Sequence, residues 1–200
     1  VRDAVKISSN TVAIKTLAML TPQASFDFLT TKLGFTNSDD GLVYQKQVGD
    51  RTLTDVALAP LSMGGLTNGV SVREMATAYS VFPRGGSYLE SRTYYRVLDS
   101  KGNVLLDTNE DRVPVTAVKD TTAWYINSML EDVVSTQRVS GNIATGYEAV
   151  LDNMTVAGKT GSTNSNRDRW FVGYTPYYTA AVWVGYKNPE RIYYSGNPAV

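Results

Sequence analysis

The sequence predicts an α+β fold, an antiparallel sheet covered by helices on both faces. Three observations carry that prediction. Apolar residues recur at helical spacing in several segments of the first two thirds of the chain. The last third holds three β-rich runs, "MTVAGKTGS", "RWFVGYTP" and "YTAAVWVGYKN". Those runs are apolar on both faces: Trp170, Val172 and Tyr174 oppose Phe171, and Val182 and Val184 oppose Trp183. Strands of that kind belong in a sheet buried on both sides. Helices, a hairpin, a helix and then an antiparallel meander make the class α+β, with no alternating βαβ units.

The elements follow in order. "NTVAIKTLAML" carries Val12, Ile14, Leu17 and Leu20 after a candidate cap, Asn10. "TPQASFDFLTTKLG" places Thr21 at the N-cap, Pro22 at the first helical position and Gly34 at the stop. Residues 36–70, rich in Gly, Asp, Asn and Thr, read as irregular loop. "SVREMATAYSVF" opens with a capping box, Ser71 and Glu74, and presents Met75, Ala78, Tyr79 and Phe82 to the core before "PRGG" ends it. "RTYYRVLDSKGNVLLDT" reads as a hairpin turning at residues 99–103. "KDTTAWYINSMLEDVVS" repeats Ile126, Met129, Leu130 and Val133 at helical spacing. The last two strands are joined by a short turn at residues 175–178 and form an antiparallel hairpin.

Composition narrows the chemistry. With 42% hydrophobic and 19% charged residues, the 200-residue chain is that of an ordinary globular protein. Its 19 basic and 19 acidic residues cancel, which argues against nucleic acid as a partner. Cysteine and histidine are both absent. That excludes Cys/His zinc sites, thiol nucleophiles and a Ser-His-Asp triad, so proton transfer falls to Lys, Tyr, carboxylates or water.

The stretch "VAGKTGSTNS" admits two readings. A P-loop needs a glycine five residues before Gly158, where Asn153 stands, and a helix after Thr160, where polar "STNSNRD" and a strand follow. The nucleotide reading fails on both counts. On the other reading, Lys159 stands near a strand end with Thr160 and Ser162, a suitable receptor for a peptide's terminal carboxylate. The bland alternative is a solvated, structural lysine. Trp170 and Tyr174 read as core, and Asn68 and Gly69 as a turn.

Lys159-Thr160-Gly161, together with Ser8-Ser9-Asn10, resembles two of the three motifs of the penicillin-binding, serine-transpeptidase superfamily, S-x-x-K, S-x-N and K-T-G. Taken alone, Asn10 is equally a helix cap. "SSNTVAIKTLA", "GGLTNGVSVREMATAYSVFPRGGSY" and "VAGKTGSTNSNRDRWFVGYTPYYTAAVWVGY" look like the transpeptidase domain of class A, bifunctional penicillin-binding proteins. The resemblance implies a D,D-transpeptidase that cross-links cell-wall stem peptides through an acyl-serine and is the target of β-lactams. It implies catalytic roles for Ser8, Asn10 and Lys159. Ser8 would relay a proton to the departing amine, Asn10 would bind the substrate backbone, and Lys159 would supply positive potential. Thr160, Gly161 and Ser162 would form the substrate-binding strand, the Ser162 N–H serving as half of an oxyanion hole. No metal and no cofactor is implied. The implied partners are stem peptides ending in D-Ala-D-Ala, β-lactam antibiotics and the N-terminal remainder of the same protein.

The chain departs from the pattern at one point, because no Ser-x-x-Lys occurs in it. Residues 1–200 are therefore expected to be the C-terminal part of one transpeptidase domain. The first strands and the S-x-x-K helix would lie upstream of residue 1, and the chain alone would be inactive. The implied location is the outer side of the bacterial plasma membrane, with the anchor upstream. Two alternatives stay open: a non-catalytic scaffold or binding domain of the same fold, and a β-lactamase or β-lactam sensor.

Overall fold

The computed structural model describes residues 1–38, 40–109, 112–194 and 197–198. Its helices are α1 (Arg2–Lys6), α2 (Asn10–Leu20), α3 (Pro22–Lys32), α4 (Leu58–Met63), α5 (Val72–Tyr79) and α6 (Asp120–Val133). Its strands begin with the hairpin β1 (Lys46–Val48) and β2 (Arg51–Leu53). Then come β3 (Ser87–Tyr88), β4 (Arg96–Leu98), β5 (Val104–Asp107), β6 (Val115–Thr116), β7 (Arg138–Val139) and β8 (Asn142–Ile143). The three long strands are β9 (Ala157–Ser162), β10 (Asp168–Tyr174) and β11 (Thr179–Gly185). The mixed helix and strand content is that expected of the α+β class.

Local chemistry explains most boundaries. The Thr21 hydroxyl accepts from the Ala24 N–H at the start of α3, with Pro22 in the first turn. Gly34, at φ 66°, lets the chain turn away after α3, and a Cβ there would lie 2.0 Å from the Tyr88 hydroxyl. The Ser71–Glu74 capping box is formed. Glu74 also accepts from the Thr36 N–H at 2.9 Å, tying the end of α3 to the start of α5. Burial pushes the Glu74 carboxyl up, but the N–H donors of Thr36 and Ser71 outweigh it and leave the group below its ordinary range.

Residues 36–70 hold more structure than the sequence predicts. They contain the β1–β2 hairpin and α4, organised around a fully buried carboxylate. Asp55 accepts from the Val43 N–H at 2.8 Å, the Thr67 N–H at 2.8 Å and the Thr67 hydroxyl at 2.7 Å. A polar-rich stretch thus folds on one hydrogen-bonded staple, which carries no periodicity to betray it. Phe26, Phe35, Leu42 and Ala78 form the adjoining core.

The three-stranded sheet β11-β10-β9 is antiparallel throughout. Tyr174 pairs with Ala157 and Thr179, and Val172 with Lys159 and Ala181. These residues therefore share one face. The helices packed closely on the sheet are α5, on β10 and β11, and α6, on β9. Leu130, Ala157 and Tyr174 are buried there with Val5, Tyr79, Phe82 and Ile126. The opposite face leaves Val182 and Val184 exposed, at 53% and 51%. Among the described residues the helix cover is therefore on one face, and the second layer that the sequence predicts is not made by them.

Candidate active site

Two segments far apart in sequence meet at the free edge of β9. The first is the junction between α1 and α2. Helix α1 is anchored by Arg2, which donates to the Ser128 carbonyl and hydroxyl at 2.9 Å each and pairs with Asp132 at 2.5 Å, all on α6. The helix ends in a Schellman turn: the Ser8 N–H bonds the Val5 carbonyl at 3.2 Å and the Ser9 N–H bonds the Ala4 carbonyl at 2.8 Å. That motif needs a left-handed residue, usually glycine. Here the position is held by Ser8, at φ 56°. An L-residue in that region carries about 1–2 kcal/mol of strain.

Asn10 is the first residue of α2, not its cap. Ser9 stands at the N-cap with extended backbone and makes no side-chain cap bond. The turn that hands the chain from α1 to α2 places the cap one residue earlier than sequence alone suggests. Asn10 is exposed, two residues after the strained serine.

The second segment is β9. It pairs with β10 on one side only among the described residues. The Thr163 N–H donates to the Asp168 carbonyl at 3.2 Å. By antiparallel alternation, the main-chain groups of Gly161 and Lys159 then face β10, while those of Gly158, Thr160 and Ser162 face the open edge. The edge therefore offers the Ser162 N–H as a donor. Gly161 pairs with Trp170, and a Cβ on it would approach the Trp170 Cβ to 3.2 Å.

Lys159 joins the two segments. Its ammonium donates to Ser8 Oγ at 2.8 Å and to the Thr160 carbonyl at 3.0 Å. Its neighbour across the ladder, Val172, is 2% exposed. Burial beside this apolar floor pulls the Lys159 pKa down from 10.5 to about 8. Ser8 thus accepts from a half-buried cation, which leaves its own proton free to point elsewhere. A cation, a hydroxyl and outward-facing strand N–H groups together can hold an anion and move a proton.

One further residue at this edge is Thr145, which sequence reasoning did not single out. Its hydroxyl accepts from Thr160 Oγ1 at 2.8 Å and lies 3.4 Å from the Lys6 carbonyl, which the Thr145 N–H also reaches at 3.2 Å. It lies in "IATGY", where nothing in spacing or periodicity marks it. Of the residues expected as core, Tyr174 is buried at 6% exposure, and its hydroxyl bonds the Asn127 side chain. Trp170 is half-buried.

Residues 1–199 match the family model described as penicillin binding protein transpeptidase domain. Penicillin-binding protein 1A of Clostridium botulinum is 34% identical over 200 residues, covering 96% of this chain and 21% of that protein. Penicillin-binding protein 4 of Bacillus subtilis is 36% identical over 137 residues, 68% of this chain and 20% of its own length. The chain thus spans about a fifth of these relatives. Among solved structures, PonA1 of Mycobacterium tuberculosis in complex with penicillin V superposes with a TM-score of 0.73 at 22% identity, over 100% of this chain and 51% of that one. Penicillin-binding protein 1A of Haemophilus influenzae gives 0.69 at 21% identity, over 96% and 30%. With a matching domain model across nearly its whole length and 1A relatives above 30% identity, this chain belongs to the transpeptidase-domain family of the penicillin-binding proteins.

Proposed function

We propose that this chain forms the leaving-group and carboxylate wall of a serine D,D-transpeptidase site. The observation that carries the reading is the 2.8 Å bond from Lys159 Nζ to Ser8 Oγ, between residues 151 positions apart. A strained serine held by a lysine of lowered pKa, beside an open strand edge, suits acyl transfer better than a structural role. The reading rests further on membership of the family.

In this proposal the nucleophile is a serine of a Ser-x-x-Lys segment outside these 200 residues, since none occurs within them. The substrate stem peptide lies along the free edge of β9, its C-terminal carboxylate bound by Thr160 and Ser162 and attracted by Lys159. Gly161 keeps the strand face clear above Trp170. Attack of the serine oxygen on the penultimate D-alanine carbonyl forms the C–O bond and places negative charge on the carbonyl oxygen, which the Ser162 N–H helps to hold. The lysine of the Ser-x-x-Lys segment takes the nucleophile's proton and hands it on to Ser8. Ser8 gives its own hydroxyl proton to the departing D-alanine amine as the C–N bond breaks, while Lys159 steadies the Ser8 oxygen. Asn10 holds the substrate's backbone. The acyl group then passes to the amine of a neighbouring strand, and the same site is open to β-lactams. The reaction belongs on the outer side of the plasma membrane, where wall peptides are found. The described residues contain no helix long and apolar enough to cross a membrane.

The test is labelling with a fluorescent penicillin. The full-length gene product should label covalently, and the 200-residue chain alone should not. No labelling of the full-length product would refute the transpeptidase reading. Labelling of the short chain would refute an external nucleophile.

A further inference from the structure

We propose that Thr145 is a positioning residue for the carboxylate-binding strand, acting through the Thr160 hydroxyl. The proposal deepens the transpeptidase reading and rests on it. Its basis is a count of hydroxyl protons. Thr160 has one, and it is donated to Thr145 Oγ1 at 2.8 Å. While that bond stands, Thr160 presents only lone pairs to the groove and repels a carboxylate. Thr145 has one proton as well, directed at the Lys6 carbonyl 3.4 Å away, a long bond. The Thr145 N–H holds the same carbonyl at 3.2 Å, so the hydroxyl can leave it without orphaning it.

The pair can therefore reverse. Thr145 rotates its proton onto Thr160 Oγ1, and Thr160 turns its own toward the incoming carboxylate. No covalent bond changes and no charge moves. The loop is built to hold Thr145 still while this happens. Its neighbours Ala144 and Gly146 are buried, Ala144 completely, and Thr145 alone faces outward. The Gly146 N–H donates to the Val133 carbonyl at 3.0 Å, and a Cβ on Gly146 would press on that same oxygen at 3.0 Å. The Lys6 carbonyl that Thr145 holds is two residues before Ser8, so one hydroxyl links the strand wall of the groove to the serine wall.

The experiment uses the full-length gene product and two probes, a penicillin with its free carboxylate and the same penicillin as its methyl ester. Thr145→Val keeps the shape and removes the hydroxyl. It removes the donor that braces the Thr160 oxygen once Thr160 has turned its proton to the carboxylate. This loss outweighs the release of the Thr160 proton and should weaken the reversible binding of the free acid by about three- to tenfold, the range of one hydrogen bond. The acylation rate constant at saturation and the reaction of the ester should be unchanged. Thr145→Ser should restore wild-type binding. In a Thr160→Val background, Thr145→Val should have no further effect. Equal losses on acid and ester, or additive losses in the double variant, would overturn the proposal and leave Thr145 a scaffold residue. An unaffected Thr145→Val protein that still labels would overturn it while leaving the transpeptidase reading intact. A wild-type protein that takes neither probe would sink both.

Discussion

The lowered pKa of Lys159 makes the pH dependence of acylation the sharpest test of the site. In water a lysine stays charged up to about pH 10.4. Burial brings Lys159 down to about 8. The sign follows: above that value the ammonium becomes a neutral amine, and its attraction for a carboxylate is lost about 2.5 pH units earlier than for an ordinary lysine. At about pH 9 only about a tenth of the lysines remain charged, so the second-order rate of acylation by a carboxylate-bearing penicillin should be about tenfold below its plateau. The substitution that isolates the effect is Lys159→Arg, because a guanidinium keeps its charge throughout this range. The variant should acylate more slowly, since a planar guanidinium does not reproduce the ammonium's two bonds to Ser8 Oγ and the Thr160 carbonyl, but its descending limb should be gone. Stopped-flow acylation of the full-length product from about pH 6 to 10.5 reads both. A wild-type rate that stays flat to about pH 10, or a descending limb that persists in Lys159→Arg, would refute the assignment of Lys159 as the groove's titrating cation.

The same shift predicts a stability profile. Since the folded-state pKa of Lys159 is about 8 and its ordinary value 10.5, the folded state binds fewer protons between those values and stability rises with pH there. Urea unfolding should show a gain of up to about 3 kcal/mol that Lys159→Met lacks. At Ser8, Gly and Ala substitutions both remove the hydroxyl, but only Ala keeps the left-handed strain at φ 56°. Ser8→Gly should therefore unfold about 0.5–1 kcal/mol later than Ser8→Ala while acylating no faster. Asp55→Ala should cost about 2–3 kcal/mol in the same assay, because it strips the acceptor from the buried Val43 N–H and from two part-buried donors of Thr67. Gly158→Ala should cost about 1–3 kcal/mol, since its Cβ would lie 2.7 Å from the Phe171 ring and 3.0 Å from the Val172 carbonyl.

Legibility differed from element to element for physical reasons. The helix starts at Thr21 and Ser71 were readable because a cap is a contact between residues three apart. The β10–β11 hairpin was readable for a similar reason, as its turn is four residues long. Segment 36–70 was not, because its order comes from Asp55 reaching across twelve residues in each direction. The cap of α2 was misplaced by one residue, since the Schellman turn before it depends on backbone torsions that the letters do not display.

The sequence by itself determined the class of chemistry. A chain without histidine or cysteine leaves proton transfer to Lys, Tyr, carboxylates or water, and Lys-Thr-Gly on a late strand with Ser-x-Asn near the start carries the resemblance to the transpeptidase family. Local contacts and residue identity are written in the order of the letters, so these could be read directly. Only the tertiary structure decided that Ser8 and Lys159 touch, that the serine sits in a strained turn, that burial lowers the lysine, and that Thr160 donates to Thr145. Each of these is a relation between segments that meet only once the sheet and α6 have packed. Burial and long-range hydrogen bonds are properties of that packing, and no window of sequence contains them.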